Sequence, residues 1–247
     1  MTVRHDLRRL VNRTGWDVHR FRPYPPDLSS SQIELWELVR PYTMLDVERV
    51  VSLADAVEHV VTAGVPGAIV ECGVGRGGAS MAAARTLARL GVTDRDLYLF
   101  DTFSGMSEPT ETDVQVIGRS MIDRMRDAYR NPEHHLHVTP TLAVVQANMA
   151  LAGYAPERTH YVEGRVEDTL PEAAPGEVAL LRLDTDWYES TRHELEHLYP
   201  RLSPGGVLVV DDYGHWEHQR RAVDEYFSSR PRPLLVRVGH GSRVAVK

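Results

Sequence analysis

Residues 68–80, AIVECGVGRGGAS, begin as an apolar strand, pass through Gly73-Val74-Gly75-Arg76-Gly77-Gly78 and continue into an alanine-rich helix. G-x-G-x-x-G between a strand and a helix is the turn that brings a chain's backbone close to a nucleotide-like ligand in a βαβ unit. Taken alone the motif is weak, so its value depends on what surrounds it.

On either side, short β-rich runs alternate with helical stretches, the pattern of a parallel sheet with crossover helices. Strands are read at 68–74, 96–101 (DLYLFD), 159–164 (THYVEG), 178–184 (VALLRLD) and 206–212 (GVLVVDD). Their near-continuous apolar character places helices on both faces. Helices are read at 79–90, 141–154, 191–202 and 219–229. A last pair of strands, 234–238 and 242–247, flanks Gly239-His240-Gly241, which predicts a tight hairpin and an antiparallel edge. Before the first strand lie two helical stretches, 31–40 (SQIELWELVR) and 45–64 (LDVERVVSLADAVEHVVTAG). The reading is one domain over 1–247. Residues 1–66 form a helical extension or lid that packs on the sheet or on a second copy of the chain, and 67–247 form a Rossmann-like core. Residues 102–135 are read as a polar loop followed by a helix, a long connection of the kind that often covers a site.

Composition narrows the function. The 247 residues carry Lys+Arg 28 against Asp+Glu 35, a net charge of −7. An acidic chain lacks the electrostatic footprint of a nucleic-acid binder. Cys72 is the one cysteine, so an internal disulfide or a Cys-based zinc site is excluded and a reducing cytoplasm is expected. No run approaches the ~20 apolar residues of a membrane span.

Two cofactors compete for the glycine turn. NAD would use an acidic residue about 20 positions on for its ribose, and Asp101 follows Gly78 by 23 positions. Glu71, two residues before the first glycine, argues the other way, because a carboxylate there repels a pyrophosphate. S-adenosylmethionine carries an ammonium and a sulfonium, so the same carboxylate attracts it while Asp101 holds the ribose hydroxyls.

Later strands also finish in acids, Asp184-Thr-Asp186 and Asp211-Asp212. In an open α/β sheet the ligand crevice lies beyond the carboxyl ends of the strands, so Glu71, Asp101, Asp184 and Asp211 are expected to converge there and to need a counterion. Asp184, Asp211 and Asp212 offer only hard oxygen donors, which suit Mg²⁺ or Mn²⁺. Asp186, two residues beyond Asp184, becomes a candidate base. His193-Glu-Leu-Glu-His197 matches the zinc-protease pattern H-E-x-x-H. Leu195, Leu198 and Leu202 form the apolar stripe of that helix, which turns both histidines to the opposite side, toward solvent.

With these residues in hand, the chain resembles the macrocin O-methyltransferase family of metal-dependent sugar O-methyltransferases. The stretches that carry the likeness are PYTMLDVERV (41–50), VPGAIVECGVGRGGAS (65–80), LYLFDTFSGMSEPTETD (97–113), YVEGRVEDTLP (161–171), LRLDTDWYEST (181–191) and VLVVDDYGHWEHQRRAVDEYF (207–227). The resemblance implies a class I methyltransferase fold: α/β, mostly parallel, with a C-terminal antiparallel hairpin and helices on both faces. It implies S-adenosylmethionine as cofactor, Mg²⁺ on Asp184, Asp211 and Asp212, and Asp186 as the acceptor of the substrate proton, with His215 as a rival base. It also implies an adenine-side contact from Glu167 and contacts to the methionine part from Ser80 and the Gly73–Gly75 backbone. The expected acceptor is a hydroxyl of a sugar on a natural product, with a catechol-like phenol as the alternative substrate.

Overall fold

The structure is a computed structural model and describes residues 24–105 and 140–247. The segment expected as a polar loop and lid falls mostly outside these residues. Contacts divide the chain into a short unit, Met1–Ile33, and a main unit, Glu34–Lys247. In the short unit Ser29 and Gln32 form a reciprocal cap: Ser29 N–H donates to Gln32 Oε1 at 2.9 Å and Gln32 N–H to Ser29 Oγ at 3.3 Å. That is the arrangement a Ser-x-x-Gln sequence favours at a helix start.

The helices are α1 (Ser30–Val39), α2 (Val47–Thr62), α3 (Gly78–Arg89), α4 (Leu142–Ala150), α5 (Val166–Thr169), α6 (Tyr188–His197) and α7 (Glu217–Phe227). The strands are β1 (Ala68–Cys72), β2 (Leu97–Asp101), β3 (Thr159–Glu163), β4 (Val178–Leu183), β5 (Leu202–Val210), β6 (Val236–Val238) and β7 (Ser242–Val246). They form a single seven-stranded sheet in the order β3-β2-β1-β4-β5-β7-β6. Strands β1 to β5 are parallel, and β7 runs antiparallel to both β5 and β6. The order reverses between β1 and β4, the switch point at which such sheets open a crevice.

Alternation along the strands builds two cores. Ile69, Leu99, Leu180, Val207 and Val209 face a core shared with Val39, Val57, Val60, Met81 and Leu87 of the first three helices. Val70, Cys72, Leu181, Leu183, Leu208 and Val210 face the other, with Leu195 of α6 and Val223 and Phe227 of α7. Truncating any one of the fully buried leucines to alanine costs about 2–5 kcal/mol. Helix α2, part of the expected helical extension, lies on the sheet inside the main unit.

Two boundaries differ from the expectation. Strand β5 begins at Leu202 instead of Gly206, and its register against β4 shifts between Val178 and Leu180. Helix α6 begins at Tyr188 and stops at His197, and Tyr199–Arg201 form one 3₁₀ turn around Pro200, where a missing N–H ends the regular helix.

Candidate active site

The glycine turn is shaped by close approach. Gly73 has φ +84°, and a Cβ there would strike the Asp184 carbonyl. A Cβ on Gly78 would meet the Tyr42 carbonyl oxygen at 2.6 Å, so helix α3 can start there only without a side chain. Asp101, at the end of β2, holds the turn in place: its Oδ2 accepts from Val74 N–H at 2.7 Å and Gly75 N–H at 3.1 Å, and its Oδ1 from Phe103 N–H at 2.8 Å. An ionised carboxylate has about four acceptor positions, which leaves Asp101 capacity toward a ligand.

Glu71 is 4% exposed. It accepts from Ser80 Oγ–H on one oxygen and from Arg182 on the other. Glu71 and Arg182 are register partners on β1 and β4, so their side chains leave the sheet on the same face. Arg182 is also buried, and its guanidinium reaches Asp184 at 2.9 Å and Asp211 at 3.1 Å. The counterion that the converging acids require is therefore in part the protein's own. Burial lowers the Arg182 pKa, but Asp184, Asp211 and Glu71 outweigh it and hold the guanidinium well above its ordinary value.

Asp211 is held on every side. Its Oδ1 also accepts from Ser242 Oγ–H at 2.9 Å, and its Oδ2 pairs with Arg49 Nη1 at 2.8 Å. Arg49, in the first turn of α2, is anchored by Asp46, which caps that helix and lies 3.3 Å from Arg49 Nε. Sequence reasoning missed both arginines. A lone Arg inside the apolar strand LLRLD was the available signal, because a buried charge needs a partner.

Asp184, Asp186 and Asp212 are brought together, with one carboxylate oxygen from each lying within 4.8 Å of the others. Asp186 has φ +68°, unusual for a residue other than glycine, and its Oδ1 is buried without a hydrogen-bond partner. Burial, reinforced by the neighbouring Asp212 carboxylate, pushes the Asp186 carboxyl well above the ordinary range. Burial also pushes Asp212 up, but hydrogen bonds from His215 and Asp186 prevail and leave it lowered. His215 Nδ1 lies 3.2 Å from Asp212 Oδ1, and that contact raises its pKa. Three hard donors, one with a buried orphan oxygen, fit a small divalent cation.

The other sequence-selected residues lie apart from this cluster. Glu167, on α5 beyond β3, pairs with Arg165 at 3.3 Å. His193 and His197 stack with ring centroids 4.3 Å apart, half-buried and not turned fully to solvent, and among the described residues they join no group able to hold a metal. Among the described residues, no helix is long and apolar enough to cross a membrane.

A family model described as Macrocin-O-methyltransferase (TylF) matches residues 35–232, which carry the glycine turn and all the acids above. The chain belongs to the macrocin O-methyltransferase family. Within it, the chain is 39% identical over 185 residues to an 8-demethyl-8-(2,3-dimethoxy-alpha-L-rhamnosyl)-tetracenomycin-C 4'-O-methyltransferase of Streptomyces olivaceus, covering 75% of this chain and 67% of the relative. It is 35% identical to a mycinamicin III 3''-O-methyltransferase of Micromonospora griseorubida, over 75% and 70% of the two chains. The solved O-methyltransferase NovP superimposes with a TM-score of 0.73 at 31% identity, covering 83% of this chain and 82% of that one. Calicheamicin methyltransferase CalS11, at a TM-score of 0.55 and 19% identity, shares the fold. As a macrocin O-methyltransferase family member, the protein is an S-adenosylmethionine-dependent O-methyltransferase with a class I methyltransferase sheet. The NAD alternative is set aside.

Proposed function

We propose that this enzyme methylates a sugar hydroxyl on a glycosylated natural product, with a divalent cation, Mg²⁺ or Mn²⁺, held at Asp184 and Asp212. The observation that carries the reading is the under-neutralised carboxyl cluster of Asp184, Asp186 and Asp212 at the ends of β4 and β5. The relatives support the substrate class, one naming a rhamnosyl-bearing tetracenomycin as acceptor and another mycinamicin III. Asp211 can join as a third ligand only by exchanging Arg49 for the cation, since its other oxygen is bound by Arg182 and Ser242.

When bound, the cation lowers the pKa of a coordinated hydroxyl, and S-adenosylmethionine supplies a methyl group on a sulfonium that leaves as a neutral thioether. The chain's own residues do the rest. Asp186 accepts the hydroxyl proton once ionised, and Asp212 holds His215 as a second stage for that proton. S-adenosylmethionine would be held by Asp101 at its ribose, by Glu167 on the adenine side and by the Gly73–Gly75 backbone at its methionine part, with Glu71 and Ser80 behind that backbone, and it would supply the methyl group that the deprotonated oxygen takes.

Incubating the protein with methyl-labelled S-adenosylmethionine and a panel of glycosylated metabolites and catechols, with and without chelator, tests this. Label should appear on a sugar oxygen, vanish on chelation and return with Mg²⁺. Label on a phenol alone would replace the sugar reading by the catechol one, and full activity after exhaustive chelation would remove the metal.

A further inference from the structure

The zinc-protease-like stretch on α6 has another use. Its first acid, Glu194, is 0% exposed, yet among the described residues it makes no ion pair and one of its oxygens, Oε2, has no hydrogen-bond partner. Its other oxygen reaches Thr185 Oγ1 at 2.8 Å. Thr185 is the residue between Asp184 and Asp186.

The backbone there is unusual. The Thr185 carbonyl accepts from Trp187 N–H at 2.8 Å, closing a three-residue turn, and Asp186 at its centre has φ +68°. Of the two hands of this turn, positive φ is the rare and strained one. A strained residue of this kind persists only when its surroundings hold it. What holds it is a chain of side chains. Thr185 Oγ1 lies 2.9 Å from Ser190 Oγ, which donates to the Trp187 carbonyl at 3.2 Å. Thr185 Oγ1–H is shared between Glu194 Oε1 and Ser190 Oγ, so both partners fix the threonine side chain. Full burial pushes the Glu194 carboxyl well above its ordinary range, against the lowering effect of the Thr185 hydrogen bond.

We infer that Glu194 is a positioning residue which, through Thr185 and Ser190, clamps the strained turn and thereby aims the Asp186 carboxyl at Asp184 and Asp212. The inference rests on the reading of those three carboxyls as the reactive cluster. It goes beyond that reading by assigning the cluster's geometry to a residue that touches none of the three in the chain of contacts.

Four variants of the full-length protein test it: Thr185→Val, Glu194→Leu, Glu194→Gln and, for the reading beneath it, Asp186→Asn. Mn²⁺ titration, hydrogen exchange at the Trp187 amide and steady-state kinetics are the readouts. Removing an outer partner of a metal-binding carboxylate typically costs 10- to 100-fold in affinity or rate. Thr185→Val and Glu194→Leu should therefore weaken Mn²⁺ binding and lower kcat by about that factor, with KM for S-adenosylmethionine little changed, and should speed exchange at Trp187. Glu194→Gln, whose amide oxygen can accept the same bond, should recover to within about threefold of the parent. Parent-like Mn²⁺ affinity, kcat and exchange in Thr185→Val would overturn the inference, and that isosteric change decides the matter even where Glu194→Leu fails to fold. A Gln variant as impaired as the Leu variant would also overturn it. If Asp186→Asn keeps full activity and Mn²⁺ affinity, the reading of the cluster falls; faster Trp187 exchange in Thr185→Val would still support the clamp.

Discussion

Two sets of carboxylates share one rim of the sheet and differ in how completely they are satisfied. Glu71 and Asp211 have a partner on every oxygen, from Arg182, Arg49, Ser80 and Ser242. Asp184, Asp186 and Asp212 have one arginine contact at Asp184, a distant one from Arg49 to Asp212 at 3.9 Å, a histidine, and a buried oxygen with no hydrogen-bond partner. The first set is a closed circuit that ties β1, β4, β5 and α2 together. The second is short of positive charge, which is the condition for gaining something from a ligand. Acid residues at strand ends are thus not equivalent, and the pairing of each oxygen separates scaffold from site.

The largest test of this contrast is Asp186→Asn. Loss of a positioned general base costs ~10²- to 10⁴-fold in rate, while the fold should be unharmed because Asn tolerates positive φ. Assay on the true acceptor beside His215→Ala decides the base; the larger loss in the histidine variant would reverse the roles. Next, Arg182→Met should destabilise the protein by about 3–5 kcal/mol, because it strands buried carboxylates without their cation. Urea denaturation measures it, and a cost below about 1 kcal/mol would show that the closed circuit is not structural.

A gentler probe is pH. Asp186 has a folded pKa above its unfolded value, so its contribution is fully present below the ordinary aspartate range near 3.8 and is lost as pH rises through the raised value. Chelated protein should therefore lose thermal stability as pH climbs from that range, and Mg²⁺ should flatten the profile by stabilising the ionised form. Identical pH profiles with and without Mg²⁺ would contradict the metal assignment. The smallest effect is expected from Arg49→Gln, which frees Asp211 Oδ2. A severalfold gain in Mn²⁺ affinity by calorimetry would place Asp211 in the ligand set, and no change would keep it in the scaffold.

Much of this was legible in the sequence for identifiable reasons. Strands β1, β2 and β4 are largely apolar and carry acids at or next to their carboxyl ends, so pattern located them and the crevice. The start of β5 was not legible, because Ser203-Pro204-Gly205-Gly206 reads as a turn, and pairing of Leu202 with Val178 and of Gly205 and Gly206 with Lys247 draws it into the sheet. The role of Arg182 depends on register with Glu71, 111 positions away, which no local pattern encodes. Glu194 was hidden by its own motif: helical phase correctly put Leu195 and Leu198 inward, but attention to the two histidines passed over the acid between them.

The late hairpin has a consequence for how the molecule is completed. Strand β7 enters between β5 and β6, Ser242 secures Asp211, and Gly241 lies so close to His215 that any Cβ there would collide with the ring. These contacts join residues about thirty apart in the chain and form only when the hairpin has doubled back. Non-local pairings of this kind are slow to form. The alignment of the acids at the rim is therefore finished by the last strands of the chain, and not by the strands that carry the acids alone.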